Sequence, residues 1–534
     1  MKFTKTKKSA VANLESLHRV FTVPEKKSSK LFEIEEHLST NLHGFLKKHI
    51  VATDDPLTEI EQDFQNTAIP LDPMFVSDHA EFVLNKVLAQ SVHTASPRFI
   101  GHMTSAIPYF MLPLSKIMMA LNQNLVKAET SKVFTPLERQ VVAMLHNLTY
   151  ANSEDFYKKY IHSPDHALGL FCSGGTIANV SALWVARNKF FSKIDPSLDI
   201  ANSGLAYCLN KSNLNRLVIL VSELGHYSML KAADLLGIGR ANLVKIPTGQ
   251  NYKVDITKLK DAIAKLKTDG AGILAIVGIA GTTETGHVDP LLDLSNIAEK
   301  ENIHFHIDAA WGGPTIFSKK YGHLLAGMNR ADSITFDPHK QLYVPMGNGI
   351  VIFKNPDDIH AVKFHTQYVI REGSKDLGKF TMEGSRPGNA LLVHAALNII
   401  GQKGYELLID MGIEKAKNFA DLIRKNPDFE LISEPELNIL TYRYFPEKIR
   451  KNTQLKDSQL NEILNRLNVQ LQKQQRERGK SFVSRTVLNP HKYNRQPISV
   501  LRVVLANPLT DMSILREILD EQQEIGCGLI NSFF

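Results

Sequence analysis

Four short strings in this chain carry residues whose types and order could do chemistry. Lys340 stands in ADSITFDPHKQLYVPMGNG, after an apolar run and a proline turn, so its amine is held rather than swinging free. A partly desolvated lysine amine is a nucleophile that forms a Schiff base with an aldehyde. An exposed loop lysine is the plain alternative, which the adjacent His339 makes less apt. Asp308 ends the run HFHID and is followed by Ala309 and Ala310, small enough for a flat ring to lie close. An unpaired carboxylate in apolar surroundings is costly, so a cationic partner is expected; a helix cap or an internal salt bridge is the other reading. In FCSGGTIANVSALWVARN, Gly174, Gly175 and the hydroxyl of Thr176 open a helical pattern. Glycines let the backbone approach an anion whose charge the helix N-terminus favours, although such a turn can be no more than a helix start. The string is neither GxxxxGK nor GxGxxG, so neither a P-loop nor a dinucleotide site is indicated here. His226, just past LVILV, offers an imidazole that could stack on an aromatic ligand or be purely structural.

The elements that must position these groups are legible around them. Apolar runs rich in β-branched residues occur at Leu217–Val221, Ile273–Ile279, His304–Ile307 and Ser333–Phe336. A helical pattern, DLSNIAEKENI, lies between the second and third, opened by Pro290 and closed near Asn302. Short buried strands flanked by helices imply an α/β fold with a mostly parallel sheet, whose functional residues gather at the carboxyl ends of the strands. All four strings lie just past such ends. We divide the chain into an N-terminal helical segment (1–125), a large domain (126–395) and a small C-terminal domain (396–534) of helix and strand.

Composition excludes several classes. With 43% hydrophobic and 22% charged residues over 534 positions, the chain buries a large core and is neither disordered nor collagenous. The excess of 62 Lys+Arg over 55 Asp+Glu, +7, is mild and does not indicate a nucleic-acid binder. Three cysteines without a CxxC pair support neither a disulfide framework nor a zinc knuckle, and suit a reducing cytoplasm. The longest apolar stretch, Tyr109–Leu121, carries Pro113 and Lys116 and is too short to span a membrane. The basic start lacks an apolar core and cleavage site of the secretory type, so a cytoplasmic location is expected.

Taken in order, SGGT, His226, GTT, DAA and DPHK resemble the group II pyridoxal-phosphate-dependent amino-acid decarboxylases, of the aspartate-aminotransferase fold type I. The resemblance runs from SPRFIGHMTS to LRVVLANP; HKQLYVPMGNG, FTMEGSRPG and SPRFIGHMTSAIPYF look most like the bacterial aspartate 1-decarboxylases, relatives of glutamate decarboxylases. It implies pyridoxal 5'-phosphate as cofactor, no metal, and conversion of L-aspartate to β-alanine and carbon dioxide, a pantothenate precursor supply. Glutamate or diaminobutyrate is the alternative substrate. It implies Lys340 as the imine-forming residue, Asp308 facing the pyridine nitrogen, His226 stacked on the ring and Ala310 against the opposite face. Gly174, Gly175 and Thr176, with His339 nearby, would hold the phosphate, and Thr283 of GTT the ring's edge. It further implies a homodimer with a site at the subunit interface, and an opening segment packed on the partner.

Two departures stand out. Many animal relatives carry a tyrosine, implicated in reprotonation, on a loop after the lysine, but Ile370–Phe380 has none, leaving Tyr368 and His339 as candidates. Many have asparagine where this chain has Asp337, whose carboxylate would repel phosphate. His102 and Asn122-Gln123-Asn124 are candidates for the acidic side chain of the substrate, and Arg386 of GSR for a site element or a structural anion partner. Two rival readings remain. His304, His306 and Asp308 share one strand face, but His304 and Asp308 stand about 13 Å apart, too far for one metal. KTKKSA and Lys473–Ser481 are basic, but the latter interleaves Glu477, lacks aromatics and reads as a solvated helix face, so no nucleic acid is expected.

Overall fold

The apolar runs become the middle of a seven-stranded sheet in the computed structural model, which describes residues 51–364, 373–451 and 457–530 together with Phe32 and Glu36. KTKKSA, most of the first 50 residues and Tyr368 lie outside the described residues. The strands are β1 (Gly169–Cys172), β2 (Arg216–Ser222), β3 (Leu243–Ile246), β4 (Ala271–Ile279), β5 (His304–Asp308), β6 (Ser333–Phe336) and β7 (Gly349–Phe353). Their order is β1-β7-β6-β5-β4-β2-β3. Strands β3, β2, β4, β5 and β6 pair in parallel, and only β7, between β6 and β1, runs the other way.

Every residue of β4 is buried, as expected of a strand covered on both faces. The alternation of side chains shows what covers them. Phe171, Ile350 and Ile352 join Val141 and Leu145 of α2 (Phe134–Tyr150) in one apolar cluster. Leu170, Cys172, Val351 and Phe353 point the other way, into Ala178, Ala182 and Val185 of α3 (Gly175–Ile194). The helix α1 (Met111–Leu121) precedes these, and α4 (Ser228–Leu235), α5 (Ile256–Thr268) and α6 (Leu291–Glu301) follow the strands that lead into them. The helical pattern read after Pro290 is α6, ending at Asn302 in the left-handed conformation.

A second sheet, antiparallel throughout, is built from β8 (Phe429–Ser433), β9 (Ile439–Tyr444), β10 (Ser484–Leu488) and β11 (Ile498–Val504) in the order β10-β11-β9-β8. Leu440, Tyr442, Leu501 and Val503 pack there against Leu464 and Leu467 of α8 (Asp457–Arg478) and Leu515 and Ile518 of α9 (Met512–Ile530). The long α7 (Ala390–Lys425) joins the two units and breaks at Gly401, whose φ of 68° only glycine adopts without strain. Basic Lys473 and Arg478 lie on α8 and pair with Glu477 and Glu524. Among the described residues, no helix is long and apolar enough to cross a membrane.

Candidate active site

One edge of the large sheet collects five strand ends. β1 leads through Ser173 into the glycine turn, β2 ends four residues before His226, and β4 ends shortly before Thr283. β5 ends on Asp308, and β6 ends at Phe336, just before Asp337 and Lys340. Parallel strands put their carboxyl ends on one edge, which is why residues this far apart in sequence share a cavity of about 370 Å³. Its walls include every position that the resemblance assigned to the cofactor: Gly174, Gly175, Thr176, His226, Thr283, Asp308, Ala310, His339 and Lys340.

At the glycine turn, the first N–H groups of α3 have no acceptor within the helix and are free to receive an anion. A side chain on Gly175 would place its Cβ 2.7 Å from Asp337 Oδ2, so glycine lets the turn and the lysine loop approach. Lys340 Nζ lies 3.2 Å from Asp337 Oδ2, and His339 Nε2 lies 3.4 Å from the same oxygen. Burial raises the pKa of Asp337, against the pull of Lys340 and His339. Burial also holds His339 below its usual value, with Asp337 opposing. Among the described residues, Asp337 Oδ1 and His339 Nδ1 are buried without hydrogen-bond partners.

Asp308, 4% exposed, differs from expectation. Among the described residues its hydrogen-bond donors are neutral: Asn179 Nδ2 at 3.0 Å and the Ala310 N–H at 3.2 Å. The cation expected beside it is not a side chain; these donors leave its negative charge to be met from the cavity. His226 is held by Ser228, whose hydroxyl and N–H lie 2.9 and 3.3 Å from Nδ1. Burial lowers the His226 pKa, and Asp308 opposes that shift.

Other candidates have structural roles. Arg386 makes a two-point ion pair with Glu138, at 2.8 and 3.0 Å, so the anion-partner reading of GSR is the one found. Asn124 binds Ser385 and the Arg386 N–H, Gln123 donates to the carbonyl of Leu121, and Asn122 caps α1. His304 and His306, on one face as parity requires, both meet Ser333 Oγ, at 2.8 and 2.9 Å. His102, beside cavity-lining Met103, keeps part of its side chain open to solvent; the protein around the rest of its ring, then the charges of Arg502, Lys340 and His339, lower its pKa.

Two residues escaped the sequence reading. Asn179 lines the cavity one turn into α3, and apolar surroundings in the string gave it no prominence. Arg502, on β11, is 9% exposed, and among the described residues its Nε has no partner. Burial pushes its pKa down to about 10, and Glu284 pulls the other way. A lone arginine inside the apolar LRVVL run was the available signal.

Residues 58–445 match the family described as the pyridoxal-dependent decarboxylase conserved domain. The chain belongs to that family. The decarboxylase is 55% identical over 522 residues, 97% of its length and 95% of the relative's, to an aspartate 1-decarboxylase of Aliivibrio fischeri. It is 28% identical to an acidic amino acid decarboxylase of Xenopus tropicalis over 83% of this chain and 82% of that one. Its fold is that of mouse CSAD (TM-score 0.78, 23% identity, 90% of this chain and 94% of that one). It is also that of the glutamate decarboxylase domain of a Vibrio parahaemolyticus protein (TM-score 0.79, 23% identity, 96% and 99%). The fold is the type I α/β arrangement expected, the cofactor is pyridoxal 5'-phosphate, and the protein is an amino-acid decarboxylase.

The cavity fits that cofactor. A helix N-terminus suits its phosphate, an amine stands within the same walls, and Asp308 lacks the cation that a protonated ring nitrogen supplies.

Proposed function

We propose that the decarboxylase acts on L-aspartate, releasing carbon dioxide and forming β-alanine for pantothenate synthesis. The observation that carries the substrate is 55% identity along 97% of the chain to an aspartate 1-decarboxylase. Pyridoxal phosphate, when bound, supplies an electron sink for the breaking carbon–carboxylate bond. The chain's own groups do the rest. Lys340 makes the covalent link, and Asp337 Oδ2, 3.2 Å away, is placed to take the amine's proton as nitrogen becomes the nucleophile. Asp308 would keep the ring nitrogen protonated. His226 and Ala310 would lie on either side of the ring, Thr283 at its edge, and Gly174, Gly175, Thr176 and His339 would hold the phosphate, since all of them line the one cavity.

Arg502 supports an acidic substrate. A buried arginine with an unused Nε offers a charge-assisted hydrogen bond to a carboxylate, and His102 stands close enough to feel its charge. Which bond breaks then depends on how that carboxylate is held relative to the ring. His339, with Nδ1 unpartnered, is our candidate for returning the proton. The assembly we propose is a cytoplasmic homodimer, with the large domain from 126 to 395 and the small domain beyond it.

Incubating the purified protein separately with L-aspartate and L-glutamate, and identifying the amine formed, tests the reading. β-Alanine from aspartate is expected. Release of 4-aminobutyrate alone would overturn the choice of substrate.

A further inference from the structure

One buried polar line runs from the cavity along the sheet, and it meets at a single amide. Asn179 is 1% exposed. Its Nδ2 stands 3.0 Å from both Asp308 Oδ2 and Ser228 Oγ. Its Oδ1 stands 3.0 Å from His306 Nε2. Behind His306, Nδ1 lies 2.9 Å from Ser333 Oγ, which in turn lies 2.8 Å from His304 Nε2.

Donors and acceptors along this line fit in one direction. Asp308 accepts, so the amide must present its NH2 to that carboxylate, and its oxygen therefore faces His306. That oxygen needs the His306 Nε2–H. His306 Nδ1 is then an acceptor for the Ser333 hydroxyl, whose oxygen accepts from His304 Nε2–H. On the other branch, Asn179 donates to Ser228 Oγ, whose proton goes to His226 Nδ1 together with the Ser228 N–H. His226 is left with its remaining proton on Nε2. His306 and His226, each accepting at Nδ1, must therefore be neutral. Burial supplies that condition, holding His306 down to about 4 and lowering His226 as well.

We propose that Asn179 is a positioning residue of the decarboxylation site, setting Asp308 toward the ring nitrogen and His226 in one tautomer through a single amide. The inference rests on the functional reading above and adds a residue to it. The amide orients the carboxylate without neutralising it, so the charge stays available to the cavity. A cation in its place would cancel that charge. The same helix thus serves both ends of the cofactor, its N-terminus the phosphate and its second turn the carboxylate.

The test uses the full chain stripped of cofactor, titrated with pyridoxal phosphate and with the analogue whose ring nitrogen is carbon. The native chain should prefer pyridoxal phosphate by about tenfold or more, the range of a hydrogen bond to a charged group. Asn179→Ala should bring that ratio close to one. His306→Leu, which frees the amide's other end, should lower it part-way, and His306→Gln, which keeps a donor there, should restore it. An unchanged ratio in both Asn179→Ala and His306→Leu would overturn the proposal, whatever the loss of overall affinity. Thermal midpoints of the stripped variants separate a folding defect from a change in ratio. A native chain that bound neither ligand would instead overturn the functional reading, and this inference with it.

Discussion

Arg386 and Asp308 are both buried charges near the glycine turn, and the chain treats them in opposite ways. Arg386 is met by Glu138 at two points and by the Phe171 carbonyl at 3.1 Å, all from the chain itself. Asp308 is given an amide and a backbone N–H, and the cavity is left open before it. A paired charge contributes to folding only while both partners stand, because either alone is stranded in a low dielectric. A charge oriented by neutral donors keeps its attraction for a ligand. The contrast separates a structural ion from a working one without reference to any relative.

The largest effect should come from the working side. Lys340→Ala should reduce decarboxylation to background, and borohydride should no longer fix a cofactor adduct to the chain, read by intact mass. Next, Asp308→Asn and Arg386→Met should divide activity from stability. Asp308→Asn should cost roughly 10²–10⁴-fold in kcat while unfolding in denaturant shifts by less than about 1 kcal/mol. Arg386→Met should cost about 3–5 kcal/mol of stability by stranding Glu138. Equal loss of stability in both would erase the distinction drawn above. Arg502→Met should raise KM for aspartate by roughly 10–100-fold, the size of a charge-assisted hydrogen bond, measured by product formation at rising substrate.

The last effect is in pH. His146 and His306 are buried neutral, and burial holds each down to about 4, below the 6.5 of a free imidazole. A group whose folded pKa is depressed contributes stability fully above its unfolded value and loses it as pH falls toward the folded one. Each should therefore withdraw up to about 3 kcal/mol between pH 6.5 and pH 4. Melting curves across that window should fall steeply, and His146→Gln should flatten them by one histidine's share.

Much of this was legible locally. The strands at Leu217–Val221, Ile273–Ile279, His304–Ile307 and Ser333–Phe336 stand where β-branched apolar runs put them, and α6 where the proline and periodicity put it. The lesson of Arg386 was only half legible, since GSR reads the same whether its partner is a ligand or Glu138. Asn122-Gln123-Asn124 reads as polar and available, yet its backbone caps α1 and the Asn124 amide ties down GSR. Arg502 and Asn179 were missed because nothing in their neighbours' types says what they face.

The sequence by itself determined the ordered set from SGGT to DPHK and the strand–helix alternation around it, because periodicity and strand-end chemistry are properties of adjacent residues. Only the tertiary structure decided which charges are answered from within the chain and which are held open. Pairing is settled across distances of a few ångström between segments far apart in sequence, where the low dielectric makes an unanswered charge matter.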